Sequence, residues 1–138
     1  MITVSYRHKF NYGYVQEGRC PVLQVRLASL DNSENGIDVD AHLDSGAEAS
    51  LFSGLLLAAL GVPLVNNKRK RYGSTFGDSV EAYLHNVRLT LPEVGSFDLE
   101  IGFSNGDIRR NLLGRDFFNL AQIGFRERQQ EYYLTPSP

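Results

Sequence analysis

What the sequence lacks narrows the field first. Cys20 is its one cysteine, so no disulfide can form within the chain and a reducing compartment suits it. The longest apolar run, LLLAALGV at 55–62, is far short of the ~20 residues of a membrane-spanning helix. The opening MITVSYRHKF has no apolar stretch of signal-peptide length. A formal net charge of -2 gives no general attraction for nucleic acid or an anionic membrane surface. His8, His42 and His85 are scattered without the paired spacing of a zinc site, so neither metal nor cofactor is expected. No repeat of fixed period and no linker divides the chain. These absences lead us to expect one soluble, cytoplasmic domain over 1–138, without nucleic-acid or membrane partners. At 138 residues, with 42% apolar and 22% charged residues, it can bury about two-thirds of its unfolded surface.

What is present is mostly alternation with a period of two, the signature of half-buried strands. ITVSYRHKF (2–10), VLQVRLASL (22–30), IDVDAHLD (37–44) and SFDLEIGF (96–103) all read this way. Asn35-Gly36 suits a tight turn between the second and third of these. LFSGLLLAAL (51–60) instead carries apolar residues at helical spacing, and Gly61 with Pro63 stops it. Residues 66–91 read as a hairpin with a glycine-bounded tip, Gly73 to Gly77. RDFFNLAQIGF (115–125) predicts a second helix running into a strand, and 125–134 a last hairpin. The closing TPSP, 135–138, is expected to be frayed. The sum is a small, mostly-β, barrel-like domain with one or two short helices.

Within this pattern AHLDSGAEAS (41–50) raises a chemical question. The strand carries Ile37, Val39, Ala41 and Leu43 on one face and ends on Asp44. A strand aims its last side chain better than a loop does. Gly46 and the small Ala47 leave room for another backbone, and Ser45 offers a hydroxyl to hold it. Asp44 is thus either an ordinary turn residue or an acid held out for chemistry. Other candidates are weaker. DNSENGIDVDAH (31–42) approaches a calcium loop but ends on His42 where a bidentate Glu belongs. Cys20 beside Pro21 reads as structural. Ser45 lacks the Gly-x-Ser-x-Gly setting of a hydrolase nucleophile. Lys68-Arg69-Lys70-Arg71 is one isolated basic run, best read as the solvated base of the hairpin.

A second segment sharpens the choice. The order of hairpin, Asp44-Ser45-Gly46-Ala47, glycine-bearing hairpin and Asn111-Leu112-Leu113-Gly114-Arg115-Asp116-Phe117 resembles the retropepsin-like aspartic proteases over residues 20–134. That resemblance implies a retropepsin-like acid-protease barrel with half an active site per chain, completed in a homodimer that acts on a peptide or protein substrate. It makes Asp44 the catalytic carboxylate, with Ser45, Gly46 and Ala47 supporting its loop. It places His42, Glu48 and Leu112 at substrate-lining positions and a flap at about 72–80, with Ser74, Thr75, Phe76 and Gly77 at its tip. It also pairs Glu48 with Arg115. Residues 1–19 lie outside it and are read as an extension or edge strand. A retropepsin fold can also lose its chemistry, so a catalytically silent peptide-binding or assembly module is the alternative.

Overall fold

The computed structural model describes residues 1–15, 18–73 and 77–138. Its framework is a hairpin of β4 (Val22–Ser29) and β5 (Asn32–Leu43), followed by β6 (Leu51–Ser53) and the short helix α1 (Leu55–Ala59). A second hairpin, β7 (Arg69–Gly73) and β8 (Ser79–Leu91), leads into β9 (Gly95–Ser104), β10 (Asn111–Leu113) and helix α2 (Arg115–Phe118). These strands hydrogen-bond in the order β4-β5-β10-β6-β9-β8-β7, and β4 also pairs with β8. That extra pairing, Arg26 opposite Thr90 through Ser29 opposite Val87, closes β4 to β8 into a barrel. β7 is left outside the ring, held on one edge by β8.

Alternation explains why this ring packs. Val39, Ala41 and Leu43 of β5 turn inward as expected, meeting Leu23, Val25 and Leu27 of β4. Leu27, Val87, Leu89, Ile101, Phe103 and Leu113 are wholly buried in the same core. Phe117 of α2 closes one end, edge-on to Phe97 with ring centroids 5.3 Å apart.

The termini add a smaller sheet. β1 (His8–Asn11) and β11 (Ala121–Arg126) flank β12 (Glu131–Pro136) on either side, while β2 (Gly13–Val15) pairs with β3 (Gly18–Cys20). Tyr132 ties this layer to the barrel by donating its hydroxyl to Val22 O at 2.9 Å. The strand expected over 2–10 is therefore shorter, beginning at His8.

Three further expectations are corrected. The β4–β5 turn falls at Leu30-Asp31, not at Asn35-Gly36; Gly36 lies inside β5, opposite Ala28. There a Cβ would fall 2.6 Å from Arg26 Nε, so the glycine makes room for a side chain rather than a turn. The helix expected from Leu51 begins only at Leu55. Leu51 and Phe52 are buried between β9 and β10, and a short strand covered on both faces mimics helical spacing. The stop at Gly61 holds, with φ +71. Finally, Thr135 and Pro136 are not frayed: they pair with Gln122 and Ala121, and Ser137 N–H donates to Leu120 O at 2.9 Å.

Candidate active site

Strand register places Asp44. β10 runs parallel to β5, with Leu112 opposite His42 and Leu113 opposite Leu43, and Asp44 N–H continues the ladder to Leu113 O at 2.9 Å. The chain then turns on the carboxylate itself: Gly46 N–H donates to Asp44 Oδ1 at 2.9 Å, and Ala47 N–H to Asp44 O at 3.1 Å. Asp44 is half-buried, while Ser45, Gly46 and Glu48 are exposed. An acid at the rigid end of a buried strand, presented beside exposed backbone, can exchange protons with a bound group.

The loop is clamped from below. Arg115 N–H donates to Ala47 O at 2.8 Å, and Gly114 passes so close that a Cβ there would lie 2.6 Å from the same oxygen. At the loop's far end Ser50 is fully buried and makes the densest polar contact of the site. Its Oγ–H donates to Asp116 Oδ1 at 2.6 Å and its N–H to Asp116 Oδ2 at 2.9 Å. Its Oγ accepts Gly114 N–H at 3.0 Å. Asp116 also accepts Phe117 N–H at 2.8 Å, which ties the start of α2 to this brace. Ser50 itself has no access to water, so its bonds to the half-buried Asp116 have no ready substitute.

A cleft of about 430 Å3 opens between the loop and the β7–β8 arm. Gly46, Ala47, Glu48, Leu51 and Leu112 form one wall, and Lys70, Arg71, Tyr72, Gly73 and Val80 the other. Asp44 and Ser45 precede this wall in the chain and are not among the residues that line the cleft. Tyr72 is the one residue of β7 that is not exposed. Burial, reinforced by the Asp116 carboxylate, pushes its phenol up to about 12.

The expected residues are thus partly assembled. Gly46, Ala47, Glu48 and Leu112 share the cleft wall; His42 pairs with Leu112 across the strands but does not line the cleft. Gly77 has φ +87 at the start of the returning arm and is not part of the wall. Ser74, Thr75 and Phe76 lie outside the described residues. Among the described residues no ion pair joins Glu48 to Arg115, and both residues are exposed. The backbone bond from Arg115 to Ala47 and the Asp116 carboxylate do the bracing instead. Ser50 is outside the expected site, and Tyr72 falls within it only as the first residue of the 72–80 flap range. Ser50 carries no sequence signal beyond a small polar residue in an apolar run, and Tyr72 none beyond an aromatic beside glycine.

Of the basic run, Lys68 pairs with Glu100 at 3.1 Å and Arg69 with Glu81 at 3.0 Å, as a solvated hairpin base would. Among the described residues no cluster of His, Cys, Asp or Glu is grouped to hold a metal ion, and no helix is long and apolar enough to cross a membrane.

No protein-family model matches the sequence, and no curated protein does. Solved structures do. EIAV protease, in complex with an inhibitor, is similar over 78% of this chain and 91% of its own, at 20% identity and a TM-score of 0.57. A retropepsin-like aspartic protease from Rickettsia conorii is similar over 98% of this chain and 97% of its own, at 15% identity and a TM-score of 0.61. With Asp44 at the end of a barrel strand and Gly114 beneath its loop, this chain has the mostly-β, retropepsin-like fold of an aspartic protease.

Proposed function

We propose that two copies of this chain form an aspartic endopeptidase, each contributing one Asp44 to a shared site. The observation that carries the reading is the placement of Asp44: end of a buried strand, loop braced to β10, hydrogen-bonded to the cleft-lining Gly46, in a retropepsin-like fold. One carboxylate per chain cannot serve both as base and as acid, so a two-fold dimer completes the pair. The exposure of Ser45 and Gly46 in the loop after Asp44 supports this reading, since it leaves them open to a partner loop.

Two carboxylates about 3 Å apart do not both ionise, so the pair holds one proton between them and titrates as a unit. The charged acid takes a proton from water as the water oxygen bonds to the scissile carbonyl carbon. The protonated acid gives its proton to the carbonyl oxygen. The newly protonated acid then gives its proton to the amide nitrogen of the tetrahedral diol, the C–N bond breaks, and a diol hydroxyl passes its proton to the other carboxylate, so acid and amine leave with the pair again singly protonated. No cofactor is required. The peptide lies extended between the loop wall and the β7–β8 arm, which acts as a flap and adds it as a strand. Leu51, Leu112 and Val80 give the cleft an apolar floor for its side chains.

The test is cleavage of a mixed peptide library between pH 4 and 7, at a protein concentration shown by sedimentation to be dimeric. Asp44→Asn is run alongside. Cleavage by the wild type and none by the variant is the expected result. A dimer that cleaves nothing overturns the peptidase reading; if it still binds library peptides, the silent binding module takes its place.

A further inference from the structure

Among the described residues β8 holds the β7–β8 arm to β9, and one side chain of β7 ties the outer strand down from outside the catalytic loop. Among the described residues β7 pairs only with β8, and its Arg69, Lys70, Arg71 and Gly73 are exposed. Tyr72 alone turns inward. The hydroxyl end of its ring lies against Gly102 of β9, where a Cβ would fall on the phenol. Beyond the glycine its hydroxyl donates to Ser50 O at 3.1 Å. That carbonyl belongs to the buried residue that also holds Asp116 and Gly114, and it accepts Gly102 N–H at 3.3 Å as well. On the outer face of the ring sits Lys70, its Nζ 4.9 Å from the centroid, so the same ring also sets where a cation of the cleft wall stands.

We propose that Tyr72 is a positioning residue that fixes the height of the β7–β8 arm over the cleft by tethering it, across Gly102, to the carbonyl of Ser50. The glycine is part of the device, since any larger residue there lifts the ring off β9. The raised phenol ionisation keeps the hydroxyl a donor throughout the neutral and acidic range. The arm's height sets how tightly an extended peptide is gripped, so the kinetic consequence rests on the peptidase reading. The structural consequence does not.

Two variants test it. Tyr72→Phe removes only the hydroxyl; Gly102→Ala keeps the hydroxyl and displaces the ring. Hydrogen exchange is followed at the amides of 70–73 and 79–83, with those of 23–28 in β4 as the reference for global stability. Loss of one such bond is expected to speed exchange in the arm about three- to tenfold in both variants, with β4 unchanged. On a library peptide KM is expected to rise by a similar factor while kcat stays within about twofold, because the bonds around Asp44 are untouched. Unchanged arm exchange in both variants, or a rise shared equally by β4, overturns the proposal. If the wild type cleaves nothing, the peptidase reading fails, and the exchange experiment still decides the role of Tyr72.

Discussion

Replacing Asp116 by alanine should cost this protein more than replacing any exposed carboxylate, and the size can be worked from the Ser50 contacts. The carboxylate accepts two hydrogen bonds from a residue with no exposed surface, at 2.6 and 2.9 Å, and a third from Phe117 N–H at 2.8 Å. Bonds to a charged acceptor contribute about 1.5–3 kcal/mol each, and a buried donor left alone costs about 1–3 kcal/mol. Asp116 itself is half-buried, so water entering the vacated space restores part of the Phe117 bond. The two Ser50 donors remain, and their loss gives about 3–4 kcal/mol, a large share of the ~5–15 kcal/mol that holds a domain of this size. Urea denaturation followed by circular dichroism, at fixed protein concentration, measures it directly. The melting temperature should fall on the order of 10 °C. Asp116→Asn keeps one acceptor oxygen for Ser50 N–H and should lose only about 1–2 kcal/mol. A double-mutant cycle with Ser50→Ala should return a coupling of about 1.5 kcal/mol. A loss below about 1 kcal/mol for Asp116→Ala, or no coupling to Ser50, would refute the account of the brace.

Two further predictions concern the terminal sheet. The Tyr133 hydroxyl, at 2.6 Å, and then the Lys9 ammonium hold the Glu131 carboxyl below the usual carboxylate range. A depressed carboxyl favours the fold above its ordinary pKa, and that contribution disappears as pH falls through the folded value. Glu131→Gln should therefore flatten the acid limb of a stability-against-pH curve between pH 5 and 3 and leave the shape of the curve between pH 7 and 9 unchanged, below the range in which Lys9 titrates; an unaltered acid limb counts against this. Deleting residues 135–138 removes the β12 ends opposite Ala121 and Gln122, the Ser137 bond to Leu120, and the Thr135 Oγ1 acceptor of Arg7 N–H. A loss of about 1–2 kcal/mol in the same denaturation assay is expected; a frayed tail would give none.

How much of this was legible in the sequence depends on the range of the interaction involved. β5 was readable because its alternation, Val39, Ala41 and Leu43 against Asp38 and Asp40, is local and one face is buried. Gly61 was readable because a positive φ is a property of one residue. The site loop was readable as an ordered pair of segments, 44–47 and 111–117. The errors share a cause. Asn35-Gly36 has turn chemistry, but the register with β4 and the Arg26 side chain placed it within a strand. Leu51 and Phe52 have helical spacing, but β9 and β10 approach from both sides and take them into the barrel. TPSP has the composition of a loose end, and only β11 gives it a partner.

Local pattern marked the longer alternating strands, the acid that ends one of them, and the small residues that let a second backbone come near. These follow from side-chain period, size and φ preference, which act within a few residues. Tertiary structure alone decided what holds that acid's loop. Asp116 reaches Ser50 across 66 residues of chain, and Tyr72 reaches the same residue from the opposite direction over a glycine of a third strand. Such contacts depend on which strands become neighbours, and closure of β4 on β8 settles that for the whole barrel at once.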